Sequence, residues 1–236
     1  MDSPQNHPID PSDLIVNKTP QTQSKLTSAI EEFTNDPINL KPKATLAHLL
    51  TQKFKLLSLD ILNNLLYTTG SVIAGSVPMY ALNPWGKEFG QGDLDIWIST
   101  KNTTAVKAIG SYLGSEGYVH WSDMPSSNYR TAFGHMAHVT NFRSTTLIPF
   151  TTVQLIMVNL DTPAKICFDF DLSFCAVYWT GRVFGGSGIS DNLVRVGTLN
   201  LNAPLTMERR RRIEKYIRRG YSILNVKEYT QKNLII

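Results

Sequence analysis

Residues 92–98 read G-D-L-D-I-W-I, and what two aspartates are doing in this apolar run decides the fold. The run has the composition of a buried strand, on which residues i and i+2 point to one face. Asp93 and Asp95 therefore project side by side. Two carboxylates about 4 Å apart repel by roughly 4 kcal/mol at an effective dielectric near 20. Such a pair needs a cation, a shared proton or open water. A hydrated strand end satisfies that requirement, and so does a site built to hold a metal ion.

The flanking sequence alternates strand and helix signals. S-V-I-A (71–74) reads as a short strand, Gly75-Ser76 as a turn and V-P-M-Y-A-L (77–82) as a short helix, with Pro78 tolerated in its first turn. A loop, N-P-W-G-K-E-F-G-Q-G (83–92), leads into the D-L-D strand. Residues 102–113 are helical in pattern and end at Gly114 and Gly117. V-H-W (119–121), T-T-V-Q-L-I-M-V (151–158) and I-C-F-D-F-D-L-S-F-C-A-V-Y-W (166–179) read as strands, and 122–145 carries no clear period. Residues 182–192 read as a loop. A basic helix follows at 206–219, with Gly220 as its C′ residue.

Upstream, residues 1–22 are polar and carry Pro4, Pro8, Pro11 and Pro20, the composition of a flexible or extended tail. Residues 23–67 are expected to be helical. Leu26, Ile30 and Phe33 mark a short helix closed by N-D-P at 35–37, and a leucine-rich stretch at 44–67 is interrupted at Ser58–Asp60. The expected organisation is a tail, N-terminal helices, an α+β domain over 68–225 with a small mixed β-sheet packed against helices, and a C-terminal tail at 226–236.

Composition narrows the function classes. Of 236 residues, 42% are hydrophobic and 18% charged, which supports a folded core. The net charge of +4 is concentrated: residues 207–220 (M-E-R-R-R-R-I-E-K-Y-I-R-R-G) carry seven basic and two acidic side chains, leaving the rest slightly acidic. Arg212, Lys215 and Arg219 line up at i, i+3 and i+7 beside an apolar stripe of Ile213, Tyr216 and Ile217. This is a row suited to phosphate contact, on a nucleotide or a nucleic acid. Two cysteines, Cys167 and Cys175, make no disulfide framework and fit a reducing compartment, cytoplasmic or nuclear. The N-terminus lacks the pattern of a secretory signal, and no run of about 18 apolar residues predicts a membrane span.

Carboxylates on two strands beside a glycine–serine turn form a chemical unit. Asp93 and Asp95 would hold Mg²⁺ or Mn²⁺ bridging a nucleoside triphosphate, while Ser76 grips phosphate. A further carboxylate would come from F-D-F-D-L-S-F-C, where Asp169 and Asp171 share one strand face, while Phe168, Phe170, Leu172 and Phe174 face the core. The order A-G-S, then D-L-D-I, then a third aspartate on a later strand resembles the nucleotidyltransferase superfamily of the DNA polymerase β type. Gly75, Ser76, Asp93 and Asp95 match its motif residue by residue. F-D-L-S-F-C-A-V-Y-W-T-G (170–181) and R-I-E-K-Y-I-R-R-G-Y (212–221) are further similar to segments of nucleotidyltransferase-like proteins encoded by large DNA viruses.

The resemblance spans roughly 60–225. It implies a metal-dependent transfer of a nucleoside monophosphate from an NTP to a hydroxyl of RNA, protein or a small molecule. It assigns Asp93, Asp95 and Asp171 as catalytic metal ligands, with Asp169 the alternative to Asp171, and Gly75 and Ser76 to the nucleotide; the helical row of Arg212, Lys215 and Arg219 is expected to join them on the nucleotide's phosphates. Two departures stand out. The spacer from Ser76 to Asp93 is longer than the superfamily usually shows, and the chain ends soon after the basic helix, with no large second domain to grip a primer or tRNA. The rival expectation is a catalytically silent binding or virion-associated module that uses its basic helix on nucleic acid.

Other motifs are weaker. His135 and His138 form H-x-x-H without a third ligand at zinc spacing. F-G-G-S-G-I-S lacks the G-K-[ST] ending of a P-loop. Cys175 reads as a core residue. Trp97, Trp121 and Trp179 read as packing, and Trp85, in the loop, as packing or a base-stacking platform.

Overall fold

The computed structural model describes residues 37–86, 89, 92–125, 136–146, 151–200 and 206–226. The expected 24–33 helix, the 1–22 and 227–236 tails and His135 lie outside them. The chain divides into two compact units, Met1–Leu40 and Lys41–Ile236. Every feature of the sheet and the site belongs to the second.

That unit is α+β, built on one mixed seven-stranded sheet in the order β3-β4-β5-β2-β1-β6-β7. Its strands are β1 (Val72–Ala74), β2 (Leu94–Ser99), β3 (Tyr118–Pro125), β4 (Met136–Ser144), β5 (Thr152–Val158), β6 (Tyr178–Trp179) and β7 (Phe184–Gly185). Only β2 and β5 are parallel neighbours; the other pairs are antiparallel. The long helices are α1 (Pro37–Gln52), α2 (Leu59–Thr69), α4 (Thr103–Ser115) and α6 (Met207–Arg218). The short ones are α3 (Ser76–Leu82) and α5 (Ile189–Val194). A separate parallel pair joins β8 (Val196–Gly197) to β9 (Ser222–Ile223). Among the described residues no helix is long and apolar enough to cross a membrane.

A break is present between α1 and α2, but it covers residues 53–58, earlier than the expected Ser58–Asp60, and Leu59 and Asp60 already belong to α2. The α1 helix starts earlier than the leucine pattern implied and carries Pro42 inside it. Both helices share one hydrophobic core with the sheet, through Leu46, Leu50, Leu62 and Leu66 on one side and Ile73, Ile96 and Leu155 on the other. Phe142 of β4 meets α4 at Gly110, where an added Cβ would lie 3.7 Å from the ring. That sheet face is therefore the helix-covered one. Glu116, at the end of α4, accepts the N–H groups of Leu57 and Ser58 at 2.7 and 3.0 Å, fastening the α1–α2 connection.

Three regions depart from the sequence reading. Residues 122–145 hold the end of β3 and all of β4. In β4 both faces mix polar and apolar residues, Val139, Asn141 and Arg143 on one and Thr140, Phe142 and Ser144 on the other, so no two-residue period shows. The 182–192 stretch contains β7 and most of α5 as well as a loop.

The third departure concerns 166–179, which is not a long strand. It forms 3-10 turns at Pro163–Asp169 and Ser173–Cys175, followed by the two-residue β6. Asp169 and Asp171 therefore do not share a strand face, and Phe168 is 72% exposed rather than in the core. Phe170, Leu172 and Phe174 are buried as expected.

Candidate functional site

The turn after β1 sets the site. Gly75 adopts φ 91°, a left-handed conformation that side chains other than glycine rarely take. A Cβ there would fall 2.9 Å from Oδ2 of Asp95. The glycine thus lets the backbone pass directly under a carboxylate delivered by the next strand, where Ala74 pairs with Asp95. Gly75→Ala is expected to destabilise the fold by about 1–3 kcal/mol and to displace Asp95, read as a lower denaturation midpoint.

Asp95 lies on β2, and Asp93 sits one residue before that strand begins. On β5, Gln154 is the register partner of Asp95. The hydroxyl of Thr152, two residues earlier, lies near enough to Asp93 to favour its ionised form. Asp93, Asp95, Thr152 and Gln154 thus occupy one face, opposite the helix-covered one. Asp93, Asp95 and Gln154 border a cavity of about 650 Å³. Gly75, Ser76 and Gly92 also line it, and α6 with its C-cap Arg219 supplies Glu208, Arg211, Arg212, Lys215 and Arg219 to the lining.

The helix α6 is fixed by a buried stripe. Thr206 caps it by accepting the N–H of Arg209 at 3.2 Å. Arg209, Ile213 and Tyr216 point inward, whereas Ile217, expected in the apolar stripe, is exposed. The Tyr216 hydroxyl donates to Met79 Sδ of α3 at 3.6 Å. The fully buried Asn192 of α5 donates to the Met79 carbonyl at 3.0 Å and accepts from the hydroxyl of Tyr221, just beyond α6. Both cavity walls are thereby tied to one internal amide.

The electrostatics are opposed across the cavity. Burial, reinforced by the adjacent Asp93 charge, pushes the Asp95 carboxyl up to about 7, against the pull of Arg212 and Lys215. Asp93, at the rim, is also raised by partial burial, while Lys215, Lys53, the Thr152 hydroxyl and Arg143 oppose the rise. Burial and the neighbouring Arg212 and Arg219 lower the Lys215 ammonium. Arg219 lies 4.4 Å from the Trp85 ring and 5.2 Å from the Tyr216 ring, and its Nη1 is buried without a hydrogen-bond partner. The stacked guanidinium belongs to a residue that lines the cavity and adds a fixed positive charge to that wall, which favours an anion there.

Asp171 does not border this cavity. It is 5% exposed and lies behind the basic wall, 3.3 Å from Arg209 Nε and 3.4 Å from Arg212 Nε. Burial works against the Arg212 guanidinium, yet the Asp171 carboxylate makes it hold its proton more tightly than usual. Asp169 closes the preceding 3-10 turn and is not among the cavity residues either. Of the expected site residues, the structure brings together Gly75, Ser76, Asp93, Asp95, Arg212, Lys215 and Arg219. Among the described residues no group of three or more His, Cys, Asp or Glu side chains is placed to hold a metal ion.

Two residues escaped the sequence reading. Gln154 stands beside Asp95 and donates Nε2 to Asn141 Oδ1 at 2.9 Å. Arg209 was hidden in R-R-R-R, although its helical phase with Ile213 and Tyr216 marks it as inward-facing. Trp85 is buried among Tyr80, Phe89 and Tyr216 and is not a base platform. Cys175 is buried, which raises its thiol pKa and keeps it inert. His138 hydrogen-bonds to Asp123 at 3.0 Å.

No protein-family model matches the chain, and no curated protein matches it.

Proposed function

We propose that the cavity binds a nucleoside triphosphate with a divalent cation, and that the chain is a nucleotidyltransferase of the DNA polymerase β type. One observation carries this reading: the adjacent carboxylates of Asp93 and Asp95 line the same ligand-sized cavity as a row of cations, Arg212, Lys215 and Arg219. The donor set fits Mg²⁺ or Mn²⁺, hard ions that take oxygen ligands and are commonly held by one or two carboxylates plus substrate phosphates. Asp93 and Asp95 would hold it. When bound, such an ion supplies charge neutralisation on the phosphates and on the departing pyrophosphate.

The chain's own groups do the rest. Ser76 offers its hydroxyl to a phosphate oxygen at the turn. Arg212, Lys215 and Arg219 bind the β- and γ-phosphates, and Asp171 and Arg209 keep Arg212 pointed at the cavity. An acceptor hydroxyl forms its bond to the α-phosphorus as the bond to pyrophosphate breaks. Gln154 can accept a hydrogen bond from that hydroxyl but cannot take its proton, which passes to water. The expected product is an acceptor carrying one nucleoside monophosphate.

Gln154 also favours a second reading, in which the site holds a metal–nucleotide without transferring it. Each α-labelled NTP, incubated with Mg²⁺ or Mn²⁺ and a mixture of RNA and protein acceptors, separates the two. Labelled acceptor supports transfer. Tight Mg²⁺-dependent NTP binding without labelled acceptor supports the holding function. No Mg²⁺-dependent NTP binding overturns both. Arg219→Ala is expected to weaken NTP binding about tenfold, measured by calorimetry, because it removes a charge-assisted donor.

A further inference from the structure

The sheet face that carries Asp93 and Asp95 continues past the cavity toward β3. Register places Thr152 of β5 opposite Arg143 of β4, and Arg143 opposite Val119 of β3. The next residue pair on that face is Asn141 with Gln154. Asn141 donates onward to Ser122 Oγ at 3.2 Å. Between His120 and Ser122 the β3–β4 register shifts, so Trp121 is the extra residue of a bulge. Its ring lies 4.2 Å from the Arg143 guanidinium. Trp121 is 59% exposed and Val119 47%. The Arg143 charge is also felt at Asp93.

Trp121 was expected to pack in the core. A bulge that turns the largest apolar side chain outward, on the face shared with the acidic pair, is how strands re-aim a side chain toward a site. The strip from Asp93 to Trp121 crosses three strand spacings, roughly 14 Å. It ends in a flat aromatic surface paired with a cation, which suits a base and its phosphate.

We propose that the Trp121–Arg143 strip is the docking platform for the single-stranded end of a nucleic-acid acceptor, with a base stacked on Trp121 and a phosphate on Arg143, leading the terminal hydroxyl to Asp93. This rests on the nucleotidyl-transfer reading and identifies its acceptor as a polynucleotide rather than a protein or small molecule. The exposed ring chooses this occupant over a peptide strand added to the β3 edge, since such a strand would engage backbone groups and leave the ring face aside.

The test uses the full chain without NTP or metal. Trp85, Trp97 and Trp179 are 8%, 4% and 5% exposed, so quenching by an added solute reports chiefly on Trp121. Unlabelled single-stranded RNA and DNA oligonucleotides are expected to quench this emission, more strongly at low salt. Binding of a dye-labelled oligonucleotide, followed by anisotropy, should weaken about tenfold in Trp121→Ala and be largely retained in Trp121→Phe, which keeps a stacking ring. Melting temperatures of both variants check that the fold is intact. Absence of quenching, or equal binding by Trp121→Ala and the parent chain, overturns the proposal. Mg²⁺–NTP binding, measured separately, tests the nucleotidyl-transfer reading. Its persistence in Trp121→Ala alongside unchanged oligonucleotide binding would remove the platform alone.

Discussion

Asp95→Asn is expected to lower Mg²⁺-dependent nucleotidyl transfer by about a thousandfold, corresponding to several kcal/mol of lost charge stabilisation. The same substitution should stabilise the metal-free protein, and the sign follows from linkage. The Asp95 carboxyl is raised from 3.8 in the unfolded chain to about 7 when folded. The folded state therefore prefers the protonated form. That preference stabilises it fully below pH 4 and is lost as pH rises through 7. At pH 8 the ionised carboxylate leaves the parent chain less stable by on the order of 4 kcal/mol, a penalty that the neutral amide avoids.

Melting curves without metal should thus place Asp95→Asn above the parent at pH 8, with the gap narrowing toward pH 5. Mg²⁺ affinity of the parent should rise over the same interval, because the ion binds the deprotonated pair. A variant that loses both activity and stability would make Asp95 a structural residue instead.

Asp171→Ala should have the largest effect on folding. It removes the carboxylate shared by Arg209 and Arg212 from a buried charge cluster, at a cost of about 3–5 kcal/mol. For a chain of this size that lowers the melting temperature by roughly 10 °C. Asp171→Asn, which retains an acceptor oxygen, separates this role from metal binding. At a temperature where it remains folded, its Mg²⁺ affinity should stay within a few-fold of the parent. A loss as deep as that of Asp95→Asn would return Asp171 to the metal centre.

Asp171 also shows where sequence reading stops. F-D-F-D-L-S-F alternates as a strand does, and local parity cannot reveal that a charge at 171 will be claimed by arginines from a helix 38 residues later. That long-range pairing accompanies tight 3-10 turns in place of an extended strand and leaves Phe168 outside. The unit β1–turn–α3 was readable because a glycine–serine step between an apolar triplet and a helix pattern has few local solutions. The strands β2 and β5 were readable from their apolar runs. Their parallel register was not, and with it went the place of Gln154 beside Asp95. The β4 strand was obscured because polar side chains fall on both its faces, beside Val139 on one and Phe142 on the other. In α6, the four consecutive arginines masked the phase that turns Arg209 inward.

The buried amide of Asn192 carries a consequence for how a ligand enters. By joining α3, α5 and the chain beyond α6, it holds the opposing sides of the cleft at a fixed spacing before anything arrives. Association should then need little hinge motion, so capture should be fast and governed by ionic strength, and the heat-capacity change should be small because little new apolar surface is covered.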